Sequence, residues 1–201
     1  MPLLILDGSI ASLTLAWREA ASRPPMPPSK VQAEPFYLWV PAADAARLGD
    51  RANLIAQLCQ ATLLVEQQSD AWPLPSGGTG RAEASVLLLR AALVAAERHC
   101  TRIIWPVHTT PADGLAAAAR AFDRGLMIRE LLCLDAPDSP LAFEMPLLEL
   151  SDEAVADLAI DLGVPLELAA FCRQSPALAC TTCPSCRRWL AAAAAVGAAL
   201  D

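Results

Sequence analysis

Four cysteines near the C-terminus of this 201-residue chain have the residue type and the spacing of a metal site. Seven residues separate Cys172 from Cys180, and two-residue spacers separate Cys180, Cys183 and Cys186. Thiolates are soft anions, four of them suit a tetrahedral zinc ion, and short spacers let the chain curl around one ion. Because four thiolates close the coordination sphere, the pattern predicts a structural zinc site rather than a catalytic one.

The residues around these cysteines fit a charged metal site. Pro184 is placed to begin a helix, so Cys186 falls in the first turn, where the helix N-terminus favours thiolate over thiol. Arg173, Arg187 and Arg188 can offset the net charge of about −2 on a zinc ion with four thiolates. The alternatives are cysteines without a ligand, a disulfide pair, or a zinc ribbon that binds nucleic acid.

Composition and charge restrict the classes of protein that the chain can represent. Hydrophobic residues make up 55% of the sequence and charged residues 18%, which excludes disorder along most of the chain. The net charge of −7 argues against a broad basic face for DNA or RNA, so a nucleic-acid partner is not expected. The N-terminal apolar run lacks a basic region before it, and no stretch reaches the roughly 18 apolar residues of a membrane span. We therefore expect a cytoplasmic protein with reduced thiols and no membrane association.

Short apolar runs alternate with helical stretches along the chain. The patterns predict strands at residues 3–6, 36–40, 62–66, 102–107, 131–134 and 147–150. They predict helices at residues 10–21, 44–59, 81–99, 112–128 and 152–162, and a last helix that begins near Pro184. This alternation predicts an α/β fold, a doubly wound and mainly parallel sheet with helices on both faces. We expect residues 1–150 to form the α/β domain and residues 151–201 a helical zinc-binding segment packed on it.

The loop after the first predicted strand is the first place to look for a ligand. Ligands of such sheets bind beyond the carboxyl ends of the strands, and residues 7–12 (DGSIAS) follow the first strand and precede a helix. Small residues in such a loop let backbone N–H groups approach a phosphate at the helix N-terminus. The context is therefore that of a phosphate-binding loop, although an ordinary strand-to-helix turn has the same layout.

The C-terminal part of the sequence resembles a known family. Residues 145–189 contain a P-L-x-x-L-S stretch from Pro146 to Ser151, a helix that ends in L-G-V-P at residues 162–165, and the cysteine cluster. In this order and spacing they closely resemble 7-cyano-7-deazaguanine synthase, the QueC/ExsB family. The resemblance implies a PP-loop ATPase domain of the adenine nucleotide alpha hydrolase type and one bound zinc. It also implies the use of ATP and ammonia to convert 7-carboxy-7-deazaguanine into a nitrile, a precursor of queuosine.

The phosphate loop departs from the family pattern S-G-G-x-D-S. Gly8 and Ser12 match it, whereas Asp7 replaces the first serine, Ser9 the second glycine and Ala11 the aspartate. Asp7 adds a negative charge to a cradle for polyphosphate, and repulsion at about 4 Å costs roughly 1 kcal/mol in water and about 4 kcal/mol at an effective dielectric of 20. That cost offsets several hydrogen bonds of about 1 kcal/mol each. The pattern favours a degenerate loop over competent binding of ATP and Mg²⁺.

Other positions of the family pattern are also incomplete. Arg81, at the start of a long helix, keeps the arginine of a family arginine–asparagine pair. With Gly8, Ser9 and Ser12 it completes the set assigned to the degenerate nucleotide site. His108 follows a predicted strand, where a site would lie, but the sequence shows no carboxylate or nucleophile as its partner. No catalytic residue is therefore assigned.

Three functions remain open from the sequence. The first is a QueC-like pseudoenzyme that keeps the fold and the zinc and acts by binding or scaffolding, with a protein partner. The second is an active, divergent, ATP-dependent ligase of 7-deazapurine synthesis. The third is a nucleic-acid binder of the zinc-ribbon type, which the acidic charge disfavours. An intact zinc motif beside an eroded ATP motif favours the first, and the family resemblance also implies a homodimer.

Overall fold

A computed structural model describes residues 1–23, 36–67, 81–109, 114–135, 141–172, 174 and 179–198. Within this part of the chain, five parallel strands form one sheet in the order β3-β2-β1-β4-β5. The strands are β1 (Pro2–Ile5), β2 (Tyr37–Val40), β3 (Thr62–Val65), β4 (Arg102–Ile104) and β5 (Ala142–Glu144). The strand order reverses between β1 and β4, which is the topological switch point where such sheets bind ligands. The predicted doubly wound parallel fold is confirmed.

Helices cover both faces of the sheet because successive side chains of each strand point to opposite sides. Leu4 and Leu6 join a core with α1 (Ile10–Ala21), α3 (Asp50–Leu58), α6 (Asp152–Asp161) and α7 (Pro184–Ala195). Leu3 and Ile5 join a second core with α4 (Arg81–Glu97) and α5 (Gly114–Asp135). The central strand β1 is therefore apolar and buried throughout, as expected of a parallel sheet that is covered on both faces.

Local signals explain several helix boundaries. The Ser9 and Ser151 side chains cap α1 and α6 by accepting a hydrogen bond from the backbone three residues later. Gly163, at a φ of 64°, follows the end of α6, where glycine adopts the left-handed conformation at low cost. Gly49, at a φ of 48°, divides the helix predicted at residues 44–59 into α2 (Ala42–Leu48) and α3.

Two predicted strands are wrong. Residues 131–134 belong to the last turns of α5, with Leu131 and Leu134 exposed, because a short apolar run has no periodicity that separates strand from helix. Residues 147–150 form turns, with Leu147 buried in the core beside α6. The strand that the sequence missed is β5, which has only three residues and ends on the charged Glu144.

The C-terminal segment shares the core of the α/β domain. Helix α6 packs on α1 and on α7, and Trp189 of α7 lies in the same apolar cluster as Leu4 of β1. The boundary at residue 150 stays a prediction. In the described part of the chain, no helix is both long enough and apolar enough to cross a membrane.

Candidate metal centre and nucleotide loop

The four predicted cysteines come together at the start of α7. Their sulfur atoms all lie within 4.8 Å of one another, and the Cys180 and Cys186 sulfurs are 3.8 Å apart. A zinc–sulfur distance of about 2.3 Å in a tetrahedral site places neighbouring sulfurs roughly 3.8 Å apart. The donor set and its dimensions therefore fit one metal ion held by Cys172, Cys180, Cys183 and Cys186.

Backbone geometry holds the cysteines in place. Cys183 is the N-cap of α7, and its sulfur accepts a hydrogen bond from the N–H of Cys186 at 3.3 Å. The Cys180 sulfur accepts a hydrogen bond from the N–H of Cys183, also at 3.3 Å. Pro184 is the first residue of α7, as predicted. The two-residue spacers thus form tight turns in which N–H groups face the sulfurs.

The surroundings of Cys180 and Cys186 shift the pKa values of their thiols in opposite directions. Hydrogen bonds from the Thr182 hydroxyl and the Cys183 N–H lower the pKa of Cys180 to about 6. Burial, followed by a hydrogen bond with Cys183, raises the pKa of Cys186 to about 12. Without a metal, burial of Cys186 therefore outweighs the effect of the helix N-terminus, which was expected to favour its thiolate. A cation among the four sulfurs reverses this balance, because a coordinating thiol is deprotonated.

Of the arginines predicted to offset the charge of the cysteines, Arg188 contacts other side chains. Arg188 Nε lies 2.8 Å from Asp152 Oδ2, and its Nη2 lies 2.6 Å from His108 Nε2. Arg187 is exposed on α7, and Arg173 lies outside the described residues. Arg188 is therefore committed to another group of side chains and not to the cysteines.

That group is the arrangement that the sequence did not reveal. His108 Nε2 lies 2.7 Å from Asp152 Oδ1, so the histidine has the carboxylate partner that was absent from the sequence interpretation. Both side chains are about 7% exposed, and the His108 ring lies 5.4 Å from the Trp189 ring. Asp152 is 44 residues from His108 and Arg188 is 80 residues from it, so no local spacing could indicate the contact.

At the phosphate loop, the chain's own side chains accept hydrogen bonds from two backbone N–H groups, those of Ser9 and Ser12. Asp7 Oδ1 accepts hydrogen bonds from the Ser9 N–H at 2.9 Å and from the Ser9 hydroxyl at 2.6 Å. The Ser9 side-chain oxygen Oγ accepts a hydrogen bond from the Ser12 N–H at 3.2 Å, and the Ser12 hydroxyl donates one to the Ser9 backbone carbonyl at 2.9 Å. The carboxylate of Asp7 thus lies beside Ser9, the N-cap residue of α1, at the positive end of the helix dipole.

The rest of the loop is closely packed. Gly8 has a φ of 75°, and a Cβ there would lie 3.1 Å from Arg47 Nη1 and 3.3 Å from the Ala170 Cβ. The Ala170 N–H donates to the Gly8 carbonyl at 2.8 Å, and Arg47 donates to the Asp7 carbonyl. Gly8 is therefore needed for backbone conformation and packing, whether or not a phosphate binds.

The predicted nucleotide residues are brought together only in part. Gly8, Ser9 and Ser12 share the N-terminus of α1, and Ser12 is fully buried. Arg81 begins α4, but its side chain lies outside the described residues, as do residues 68–80 and 110–113. Ala11 is fully buried, so its side chain faces the core.

Comparison with known proteins decides the family. The sequence model of the family described as queuosine biosynthesis protein QueC matches residues 81–197, more than half of the chain. The chain belongs to the QueC family. The matched range contains all four cysteines as well as His108, Asp152 and Arg188, and the phosphate loop precedes it. Among curated proteins, none matches the sequence.

A solved structure shows the same fold. It is the U34-tRNA thiolase NcsA from Methanococcus maripaludis with its [4Fe-4S] cluster, at 15% sequence identity and a TM-score of 0.56. The alignment covers 82% of this chain and 56% of that one, so this QueC-family chain spans little more than half of the thiolase's length. At this identity the likeness concerns the PP-loop fold.

Proposed function

We propose that this QueC-family chain is a pseudoenzyme of the queuosine or 7-deazapurine pathway, which keeps the fold and a structural zinc and does not bind ATP. It acts by binding or scaffolding, with a protein partner or as a homodimer. The observation that carries the proposal concerns the Asp7 carboxylate, which accepts hydrogen bonds from the N–H and the hydroxyl of Ser9 at the N-terminus of α1. The loop holds an anion of its own where a nucleotide would place its phosphate.

Energies support this interpretation. A phosphate at the loop would displace two hydrogen bonds to Asp7, worth roughly 1 kcal/mol each. A retained carboxylate about 4 Å away would then repel it by about 4 kcal/mol at an effective dielectric of 20. A penalty of about 4 kcal/mol or more lowers affinity roughly a thousandfold. Arg47 lies beside the loop and could attract a phosphate, but its guanidinium already forms an ion pair with the Asp44 carboxylate at 2.5 Å and donates a hydrogen bond to the Asp7 carbonyl.

The distances between the four cysteine sulfurs support the proposal of a single metal ion. Sulfurs within 4.8 Å of one another suit a single tetrahedral ion. A four-iron cluster interposes iron and sulfide atoms and needs its cysteine sulfurs farther apart. We therefore propose one zinc per chain rather than a cluster of the kind named for the thiolase. Because four thiolates leave no open position, the ion stabilises the fold and does not activate a substrate.

Calorimetric titration of the metal-loaded protein with ATP and Mg²⁺ tests the nucleotide claim. We expect no binding up to millimolar ATP, and no release of AMP or pyrophosphate in the presence of 7-carboxy-7-deazaguanine and ammonia. Micromolar binding would refute the pseudoenzyme proposal and support an active, divergent ligase.

Elemental analysis and visible absorbance of protein purified without chelator test the metal claim separately. We expect about one zinc per chain and no visible absorbance. Stoichiometric iron and sulfide with broad visible absorbance would replace zinc with an iron–sulfur cluster and leave the nucleotide claim unaffected.

A further inference from the structure

The metal site and the ligand edge of the sheet are joined by a short path of side chains. Arg188 lies two residues beyond Cys186 on α7, and its guanidinium contacts both the Asp152 carboxylate and the His108 ring. Trp189, the next residue, is 2% exposed and lies against the same ring. Cys186 therefore lies less than one helical turn from the side chains that hold His108, and Cys183 lies less than two turns from them.

His108 lies in the segment that leaves β4, residues 105–109, which we call the β4 exit segment. Backbone hydrogen bonds fix its two ends, from Trp105 N–H to the Glu144 carbonyl at 2.9 Å and from Thr109 N–H to the Leu148 carbonyl at 3.2 Å. Between these bonds, His108 is held by contacts to Asp152, Arg188 and Trp189. The segment follows one of the two strands that flank the switch point of the sheet.

We propose that metal binding at the four cysteines fixes the position of the β4 exit segment, and that Arg188 is the positioning residue that transmits this effect. The metal holds Cys183 and Cys186, and these two residues define the first turn of α7. When that turn is ordered, Arg188 reaches Asp152 and His108 together. When the metal leaves, no ion joins Cys172 and Cys180 to the first turn of α7, so the turn loosens and these contacts are lost.

The burial of Asp152 makes the coupling strong. This carboxylate is about 7% exposed and has His108 on one oxygen and Arg188 on the other. Removing one partner from a buried charged group is costly, so Asp152 and His108 must rearrange when Arg188 withdraws. The proposal rests on the metal part of the proposed function and is independent of whether the loop at Asp7 binds ATP.

Hydrogen exchange on the full-length, metal-loaded protein tests the proposal. We expect R188Q to retain one metal per chain while the β4 exit segment exchanges about tenfold faster or more, with β1 unchanged. Chelation of the wild type should accelerate the same segment, and chelation of R188Q should add little to it. R187Q is the matched control because Arg187 is the exposed neighbour on the same helix, and it should exchange like the wild type.

The possible failures can be told apart. Equal exchange in R188Q and the wild type, or equal effects of R187Q and R188Q, would overturn the coupling while metal content remains intact. Chelation that accelerates the segment as much in R188Q as in the wild type would assign the effect to another route. Absence of metal from the untreated wild-type protein would refute the metal site, and the proposed coupling would be refuted with it.

Discussion

Two helix N-termini of this protein have the same capping geometry but differ in the charged groups that lie beside them. At α1 the Ser9 oxygen accepts the N–H of Ser12 at 3.2 Å, and at α7 the Cys183 sulfur accepts the N–H of Cys186 at 3.3 Å. The first helix end receives a carboxylate from its own chain, Asp7. The second gathers four sulfurs whose distances fit one metal ion. One helix end therefore carries an anionic group of its own chain, and the other fits an added cation.

The difference indicates which end the fold depends on. Cys186 is fully buried and Trp189 almost fully buried, in one apolar cluster with the helices that cover the sheet. A loss at the metal end is therefore expected to spread through packing, whereas at the phosphate loop Asp7 and Ser9 already accept hydrogen bonds from the N–H groups of Ser9 and Ser12. A change at the phosphate loop is therefore expected to disturb the fold less than a change at the cysteines of α7.

The largest expected effect follows from removing one metal ligand. C186S should abolish stoichiometric metal binding and lower the free energy of unfolding by about 4 kcal/mol or more. For a chain of this size that corresponds to a Tm lower by about 8–16 °C. C133S is the matched control because Cys133 is half-buried and lies outside the cluster. Equal melting of C186S and C133S would show that the metal end does not support the fold.

A smaller effect is expected from reopening the phosphate loop. D7S combined with S9G restores two family residues, removes the carboxylate from the donors of α1, and should raise ATP affinity about hundredfold or more. D7N is the matched control, because it keeps an acceptor for the Ser9 N–H and removes only the charge, and it should gain less. No gain in either variant would mean that packing around Gly8, and not Asp7, excludes the nucleotide. The fully buried Ala11 is left unchanged, since an aspartate there would enter the core.

The smallest effect concerns the order in which thiols react after chelation. Because hydrogen bonds lower the pKa of Cys180 to about 6, this thiol is mostly ionised at pH 7 and should be alkylated first among the four ligands. Cys59 is the internal control, since burial raises its pKa to about 12 and it should stay unmodified with or without metal. Mass spectrometry of alkylated peptides reads both sites. Reaction of Cys180 at the same rate in metal-loaded and chelated protein would argue against its role as a ligand.

The sequence predicted the features that depend on neighbouring residues. The helix predicted at residues 10–21 and the predicted start of α6 at Asp152 agree with the structure, where the preceding serines cap both helices. The parallel fold follows from apolar strands that alternate with helices. The cysteine spacing predicted a cluster because short spacers constrain the chain locally.

What the sequence could not give depends on distant residues or on burial. The contact of His108 with Asp152 and Arg188 arises from the packing of the β4 exit segment, α6 and α7, which no local pattern encodes. The raised pKa of Cys186 reflects burial that outweighs the helix N-terminus. Residues 131–134 read as a strand because four apolar positions are too few to show a period.

A crystal structure of the metal-loaded protein grown with millimolar ATP and Mg²⁺ tests the contrast between the two helix ends most directly. We predict a single metal ion among Cys172, Cys180, Cys183 and Cys186, and the Asp7 carboxylate on the Ser9 N–H with no phosphate at the N-terminus of α1. A triphosphate bound to the Ser9 and Ser12 N–H groups, with Asp7 displaced, would contradict this account.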